Sequence, residues 1–281
     1  MELDTLFQSK FGEFTTFKRK SELISNISRE SLAWRNKALN VELCNKQFGV
    51  FEDGEIYGNF CRERICPLCQ RRKSIKTWSE LKQAVDVIGG QWLLATFTVR
   101  NVGPEKLENA IQRLYLKFSE IWREELKNRF CGAFRTLEVT YNQQRDDYHP
   151  HLHVIISVDD FYFKSARYIS QSELLTLWRL KFGNADGGVD IRKIDNVESG
   201  VAEVAKYAVK PFNYCDEKLT LKMLDELFSR LKNRRLTQSY GNVKSVLSDI
   251  KKEYQAQEKQ DAHDCKTWYS WDKEKGNYFE M

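Results

Sequence analysis

The stretch from Trp92 to Val158 constrains the fold most, because the spacing of its apolar residues changes from two to three or four and back. Alternation over Trp92–Arg100 predicts a strand with Leu93, Ala95, Phe97 and Val99 on one face and Leu94, Thr96 and Thr98 on the other. After Gly103 and Pro104, wider spacing predicts a helix with the apolar stripe Leu107, Ile111, Leu114, Phe118, Ile121 and Trp122. Two further strands, Ala133–Tyr141 and His149–Val158, flank a polar stretch that predicts a hairpin loop.

The sequence after this hairpin predicts two more helices and a strand. Ser170 and Glu173 fit a capping box that begins a helix, and Gly183 is suited to end it. A short strand is expected over Val189–Ile194. The next helix runs from about Val197 to Lys210, where Pro211 stops it.

These elements divide the chain into three regions. Residues 1–89 form an N-terminal region with a cysteine cluster, residues 90–211 carry the strands, and residues 212–281 are expected to be mainly helical. The expected core stripe of the last region is Leu224, Leu227, Phe228 and Leu231. Its late aromatic residues are expected to pack onto the body of the protein, namely Trp268, Tyr269, Trp271, Tyr278 and Phe279.

Composition and charge limit the class of protein. Hydrophobic residues make up 41% and charged residues 30%, which is typical of a soluble globular chain. Because no apolar run approaches the roughly 20 residues of a membrane helix, and Met1–Lys20 lacks the apolar core of a secretory signal, we expect a cytoplasmic protein without a membrane partner. The net charge is +5, with basic clusters at residues 18–20, 71–73 and 234–235. Such clusters either neutralise phosphates or form a solvated charged face.

Three of the seven cysteines fall within nine residues, at Cys61, Cys66 and Cys69. Cys66 and Cys69 have the two-residue spacing of a zinc knuckle. Cys44 is the best fourth ligand, because no histidine is nearby. The pattern predicts a structural Zn²⁺ site, with buried free cysteines as the alternative. The remaining cysteines, Cys131, Cys215 and Cys265, are isolated and are interpreted as structural.

Three of the four histidines lie in the sequence His149-Pro-His151-Leu-His153. Alternate residues of a strand share a face, so His151 and His153 are expected to project together and to hold a divalent ion, whereas Pro150 leaves the direction of His149 open. If the hairpin strands pair, Glu138 lies near them and is the candidate third ligand. The alternative is surface or core histidines without a metal.

The segment from Val201 to Lys210 predicts an amphipathic helix with Glu203, Tyr207 and Lys210 along one stripe. A phenol is a poor nucleophile at neutral pH, but a nearby lysine favours the phenolate and a metal can polarise a phosphate. Glu203 could act as a general base for a water or hydroxyl. The alternatives are an ordinary helix, or Tyr214 as the nucleophile.

Together these motifs resemble the rolling-circle replication initiators of small plasmids of the Gram-positive type, in the HUH endonuclease superfamily. Thr96–Asn101 is similar to the family's first motif, His149–Ile155 to its metal-binding motif and Glu203–Lys210 to its nucleophile motif. Cys61–Cys69, with the arginines that follow, is similar to the cysteine-rich segment that precedes the nuclease. The resemblance covers roughly residues 44–211 and fades on either side.

The resemblance implies an α+β fold with an antiparallel sheet flanked by helices, in the manner of a ferredoxin-like palm, and with the histidines on a central strand. It implies Mg²⁺ or Mn²⁺ at His151 and His153, and attack by Tyr207 on one strand of a plasmid double-strand origin. The products would be a 5′-phosphotyrosine link and a free 3′-hydroxyl, from which a host helicase and DNA polymerase would continue. Because the motif contains one tyrosine, Glu203 is the expected agent of the second cleavage. The basic residues expected to contact DNA are Arg71, Arg72, Lys73 and Lys206.

Two other functions remain open at this point. A transposase or relaxase of the same superfamily would have similar site residues, although the short chain has no helicase region. A non-enzymatic zinc-containing DNA-binding regulator would need neither a metal at the histidines nor Tyr207, and it leaves the convergence of these motifs unexplained.

Overall fold

The computed structural model describes the backbone of residues 2–52, 56–183, 187–207, 221–257 and 265–281. Side chains are described within those ranges, apart from residues 2–13, 206–207 and 254–257. The chain forms two compact units. Unit 1 comprises residues 1–73, 214–232 and 256–281, and unit 2 comprises residues 74–213 and 233–255. Both units are therefore discontinuous in sequence, unlike the three consecutive regions that the sequence patterns suggested.

The centre of unit 2 is a sheet with the strand order β6-β3-β5-β4-β7, in which every neighbouring pair is antiparallel. Its strands are β3 (Gln91–Val99), β4 (Gly132–Asn142), β5 (Asp147–Val158), β6 (Gly187–Lys193) and β7 (Thr237–Tyr240). β4 and β5 form the predicted hairpin, and β5 lies in the middle of the sheet. The histidine sequence is therefore on a central strand, as predicted.

One face of this sheet is covered by α4 (Leu107–Glu124) and α5 (Gln171–Phe182). The buried residues of α4 are those of the predicted stripe. The ring of Phe97 on β3 lies 5.1 Å from that of Phe118 and 5.0 Å from that of Trp178, so both helices meet on this strand. The capping box at Ser170 and Glu173 is present, and Gly183 ends α5 with a φ of 80°.

The other face is covered by α3 (Pro67–Ile88), α6 (Val197–Tyr207) and α9 (Gly241–Gln257). Leu94, Phe134 and Ile155 supply the sheet side of this core. Residues from the three helices complete it, namely Leu81 and Ala84, then Val201, Val204 and Ala205, then Val243, Leu247 and Ile250. Because alternate strand residues share a face, His153 and Thr96 follow Ile155 and Leu94 on this same side.

Unit 1 contains a second antiparallel sheet with the order β2-β1-β8-β9. Its strands are β1 (Gln47–Val50), β2 (Ile56–Gly58), β8 (Thr267–Asp272) and β9 (Asn277–Glu280). Phe48, Val50, Trp271 and Tyr278 form the buried core of this sheet. α1 (Glu2–Glu30) lies against α2 (Arg35–Leu43), and the carboxylate of Glu22 on α1 accepts a 2.7 Å hydrogen bond from the indole of Trp271.

The region after Phe212 differs from the mainly helical prediction. Its described residues include α7 (Leu221–Met223), a π-helical turn (Leu224–Phe228), α8 (Ser229–Leu231) and α9, but also three strands. β7 completes the sheet of unit 2, and β8 and β9 complete that of unit 1. These strands escaped prediction because they have only four to six residues and lack a clear apolar alternation. The overall α+β class, with antiparallel sheets flanked by helices, is confirmed.

Candidate functional site

Two histidines and a glutamate converge on one face of the central hairpin. Glu138 on β4 stands directly opposite His151 on β5 in the strand register. One oxygen of its carboxylate, Oε2, lies 2.7 Å from Nε2 of His151 and 2.8 Å from Nε2 of His153. Both imidazoles are buried, and the three candidate ligand atoms lie within 4.8 Å of one another. The structure thus brings together the three residues that the sequence suggested.

The Nδ1 atoms of both imidazoles, which point away from Glu138, also have hydrogen-bond partners. Nδ1 of His151 lies 3.0 Å from the carbonyl oxygen of His149, and Nδ1 of His153 lies 3.3 Å from Oγ1 of Thr96 on β3. A carbonyl oxygen only accepts, so Nδ1 of His151 carries the proton in this hydrogen bond. Nε2 faces the carboxylate of Glu138 at hydrogen-bonding distance, and it is the nitrogen that would bind a cation in place of this hydrogen bond. Thr96 orients the second ring from the neighbouring strand.

The electrostatics favour an ionised carboxylate in this trio. Burial raises the pKa of Glu138, but hydrogen bonds and charge interactions with His151 and His153 outweigh it and lower the pKa to about 2. Burial, together with the nearby His151, lowers the pKa of His149 below its usual value. The ring of His149 lies 5.1 Å from that of His151, which answers the open question of its direction by placing it beside the trio.

The donor set fits a divalent cation. Neutral imidazole nitrogens and a carboxylate oxygen are a mixed set that first-row divalent ions accept. Thr136 stands opposite His153 in the β4–β5 register, and its hydroxyl is buried without a hydrogen-bond partner among the described residues. An orphaned buried hydroxyl is consistent with a site that holds water when a metal is bound. Neither Thr96 nor Thr136 was assigned to the site from the sequence, although both share its strand face.

Helix α6 approaches this sheet from the same face as the trio. Val201, Val204 and Ala205 bury one side of the helix against β4 and β5. Glu203 lies on the outer side, where its Oε2 is 3.2 Å from Nη2 of Arg192 on β6. Tyr207 is the last described residue of α6. The side chains of Lys206 and Tyr207 and the whole of Lys210 and Tyr214 lie outside the described residues.

The four predicted cysteine ligands form a second cluster, in unit 1. The sulfurs of Cys44, Cys61, Cys66 and Cys69 lie within 4.8 Å of one another, and none is in a disulfide. Sγ of Cys69 is 3.5 Å from that of Cys44 and 3.6 Å from that of Cys61. The backbone N–H of Cys61 donates to Cys44 at 3.4 Å, and that of Arg62 donates to Cys69 at 3.2 Å. N–H groups that point at sulfur stabilise thiolates, so the cluster fits a structural Zn²⁺.

The predicted basic residues separate into exposed and buried groups. Arg72 is exposed, with its guanidinium 4.4 Å from the ring of Phe60, and Lys73 is exposed beside it. Arg71 is half-buried and lies 6.0 Å from the ring of Phe17. Lys18, in contrast, is fully buried, so its assignment to a surface phosphate-neutralising cluster is wrong. Charge clusters in sequence do not show which residue of a helix faces inward.

A family model described as replication protein matches residues 56–279. A relative named Protein rep from Streptococcus pneumoniae serotype 2 (strain D39 / NCTC 7466) is 32% identical over 240 residues, which cover 78% of this chain and 73% of that protein. The chain belongs to this family. A Protein rep from Staphylococcus aureus is 34% identical over 216 residues, which cover 72% of this chain and 94% of the relative. A Protein rep from Lactiplantibacillus plantarum is 31% identical over 214 residues, which cover 69% of this chain and 67% of that protein. No solved structure matches the chain significantly.

The family match confirms the predicted resemblance to plasmid replication initiators. It contains the candidate metal ligands, the helix that carries Tyr207 and all of the cysteine cluster except Cys44. It also continues well past Pro211, where the resemblance in the sequence was expected to fade, and includes β7, β8 and most of β9. Within the residues that the structure describes, no helix is long and apolar enough to cross a membrane.

Proposed function

We propose that this replication protein nicks one strand of a plasmid double-strand origin, with Tyr207 as the nucleophile. The observation that carries the proposal is the convergence of Glu138, His151 and His153 on the sheet face against which α6 packs. The helix that bears the tyrosine and the candidate metal ligands are thereby on the same side of one sheet. A nucleophile and an electrophilic centre on one face are what a phosphoryl transfer requires.

In the proposed reaction, the phenolate oxygen of Tyr207 attacks the scissile phosphorus. The bond between phosphorus and the 3′-oxygen breaks, a bond between phosphorus and the phenolic oxygen forms, and the tyrosine's proton ends on the departing 3′-oxygen. The products are a 5′-phosphotyrosine link and a free 3′-hydroxyl. Because the ordinary pKa of a tyrosine is about 10, the reaction needs a cation near the phenol, and Lys210 of the same segment is the proposed source, whereas Lys206 is proposed to contact DNA.

Glu138, His151 and His153 would hold Mg²⁺ or Mn²⁺. Such an ion, when bound, polarises a phosphate oxygen and offsets the charge that develops on the leaving group. The protein's part is to orient the ligands, through the carbonyl of His149 and the hydroxyl of Thr96, and to keep the carboxylate ionised.

Glu203 is the proposed general base for release of the covalent link. It lies one helical turn before Tyr207 and is half-exposed, so water can reach its carboxylate. Its partner Arg192 keeps the carboxylate close to β6. A carboxylate in this position can take a proton from water, or from a DNA 3′-hydroxyl, that attacks the phosphotyrosine.

The cysteine cluster is proposed to bind structural Zn²⁺ and to support DNA contacts in unit 1. Arg71, Arg72 and Lys73 lie on α3 and are separated from Cys69 by one residue. The guanidinium of Arg72 is already held near the ring of Phe60. Such a group loses little further side-chain freedom when it binds a phosphate. A host helicase and DNA polymerase are the partners proposed to continue from the 3′-hydroxyl.

The proposal is tested by incubating the protein with Mn²⁺ and labelled single-stranded oligonucleotides that tile its own replicon. A covalent protein–DNA adduct is expected with one oligonucleotide set, and it should be absent with Tyr207→Phe. An adduct that survives in the variant would move the nucleophile, with Tyr214 the first candidate. A folded protein that gives neither adduct nor cleavage with the origin present would favour a non-enzymatic DNA-binding regulator.

A further inference from the structure

A lysine is fully buried in the core of unit 1. Lys18 on α1 has no exposed surface, and its Nζ donates hydrogen bonds to the carbonyl oxygens of Glu42 and Cys44, both at 2.6 Å. In the described part of the chain, no carboxylate lies within ion-pair distance of it. Burial of an ammonium group without a counter-charge is strongly unfavourable. Two carbonyl dipoles are a weak compensation, and the carboxylate of Glu22, one turn further along α1, acts on Lys18 only from beyond ion-pair distance and is shared with the indole of Trp271. A further negative group should therefore be near.

The cysteine cluster is the candidate source of this charge. One of the two carbonyls that Lys18 binds belongs to Cys44. Burial lowers the pKa of Lys18, and charge on Cys44, on Glu22 and on the other cluster residues Cys66 and Cys61 acts in the opposite direction. Four thiolates around one Zn²⁺ carry a net charge of about −2, because thiolates are the form that binds metal. A zinc-loaded cluster would therefore add the counter-charge that Glu22 supplies only in part, and the ammonium would in turn offset part of the cluster's negative charge.

A second residue of α1 contacts the same cluster. Ser21, three positions after Lys18 and on the same side of the helix, places its hydroxyl 3.7 Å from Sγ of Cys66. The hydroxyl also accepts a 3.4 Å hydrogen bond from the backbone N–H of Leu68, inside the Cys66–Cys69 knuckle. Two successive inward-facing residues of α1 thus contact the cysteine segment, although no metal ligand comes from this helix.

We propose that Lys18 is the counter-cation of a Zn²⁺ tetrathiolate, so that zinc binding and the packing of α1 in unit 1 are energetically coupled. This inference rests on the proposed zinc site. Lys18 is a positioning residue, since it acts through the ligand residue Cys44 and through the cluster's charge. Without zinc the lysine remains buried with only the more distant carboxylate of Glu22 as counter-charge, and α1 should loosen from the cysteine segment. Without the lysine the cluster keeps its full negative charge, and zinc should bind more weakly.

The test compares two substitutions in the full chain. Lys18→Met removes both the charge and the hydrogen bonds, and Lys18→Gln keeps an N–H donor while it removes the charge. Zinc affinity is measured by competition with a chromophoric chelator. Outer-shell partners of metal ligands typically contribute about 10–100-fold to affinity, and we expect both variants to lose zinc affinity in this range. Lys20→Met is the matched control, because this neighbour on α1 is only half-buried and its Nζ lies near the ring of Phe17.

Hydrogen exchange of the unsubstituted protein gives a measurement that needs no variant. Removal of zinc by a strong chelator is expected to lower the protection of α1 around Lys18, while β3 and β5 in unit 2 keep theirs. Unchanged protection of α1 would overturn the coupling. If the unsubstituted protein contains zinc and the Lys18→Gln variant binds zinc as tightly, the proposed role of the Lys18 charge would be overturned. An unsubstituted protein that contains no zinc would overturn the zinc site itself and the role of Lys18 with it.

Discussion

The two ligand clusters of this replication protein differ in how they are built, and the difference separates their roles. The cysteine cluster has four sulfurs, as many ligands as a tetrahedral zinc site takes, and these candidate ligands come from the end of α2, a loop and the start of α3. The histidine cluster has three ligands on two adjacent strands of one sheet. A closed set is typical of structural zinc, whereas a set with a free position can bind a substrate oxygen. We infer that one cluster holds a segment together and that the other performs chemistry.

The groups that contact the candidate ligands also differ between the two clusters. Around the cysteines, the contacts come from backbone N–H groups and from α1, so the cluster depends on packing of several segments of unit 1. Around the histidines, the contacts come from β3 and β5 within a sheet that is buried on both faces. The comparison teaches that loss of metal should unfold structure at the first cluster and leave structure intact at the second.

The largest effect is expected from His151→Ala and from His153→Ala. Each substitution removes a candidate metal ligand, so the charge stabilisation that the metal would give the transition state is lost. This stabilisation is several kcal/mol, which corresponds to a nicking rate lower by roughly 100- to 1,000-fold or more. The measurement is the rate of adduct formation with the cleaved oligonucleotide in Mn²⁺. Zinc content and binding of duplex origin DNA should be unchanged. Loss of the folded state in either variant would show that the histidines are structural and would remove the contrast between the clusters.

Removal of zinc is expected to act on unit 1 alone. The free energy of a structural zinc site is folding free energy, so Cys69→Ser should abolish stable zinc binding and destabilise unit 1 by several kcal/mol. Hydrogen exchange followed by mass spectrometry should show lost protection in α1, α2 and β1, with β3–β5 still protected. Cys131→Ser is the control, because Cys131 is a free cysteine outside the cluster. If unit 2 lost protection to the same extent, the two units would not be separable in stability.

A smaller effect is expected from Thr96→Val. This substitution keeps the shape of the side chain and removes the hydroxyl next to Nδ1 of His153, so the imidazole loses its orienting partner. Mn²⁺ affinity should fall by about 10-fold or more, with little change in melting temperature. Thr98→Val is the matched control on the same strand face, because the hydroxyl of Thr98 donates to the carbonyl of Gly188 instead. Equal losses in the two variants would mean that the effect belongs to the strand and not to the imidazole.

The sequence predicted the strand partners of the histidine cluster better than it predicted the course of the whole chain. Alternation fixes which residues of a strand share a face, so Glu138, His151 and His153 could be placed together before the fold was known. Alternation also put Thr96 on the other face from Leu93, but which strand pairs with β5 depends on tertiary contacts. The same limit applies to β7, whose sequence Thr-Gln-Ser-Tyr carries no periodic signal. Its place beside β4 follows from long-range pairing, and the turn into α9 requires Gly241 at a φ of 55°.

For the cysteine cluster, the sequence predicted the candidate ligands but not the residues that surround them. Spacing predicted the four cysteines that the structure brings together, because the knuckle pattern places two of them three positions apart and few cysteines remain for the others. The burial of Lys18 could not be predicted, since its neighbours Arg19 and Lys20 give the same charge signal and only the packing of α1 distinguishes them. Local spacing therefore predicts which candidate ligands lie together, whereas the groups that contact them depend on tertiary structure.

The smallest effect on stability, and the sharpest distinction between chemistry and structure, is expected at Glu203. Its ion pair with Arg192 is partly exposed, and such pairs contribute roughly 0–1 kcal/mol, so Glu203→Gln and Arg192→Gln should unfold within about 1 kcal/mol of the original protein. If Glu203 is the base that releases the phosphotyrosine, Glu203→Gln should form the adduct at a normal rate and accumulate it, whereas Arg192→Gln should still release it. The measurement is the time course of adduct and free product on one oligonucleotide. Normal release in Glu203→Gln would reject this role, and the second cleavage would then have to come from another group.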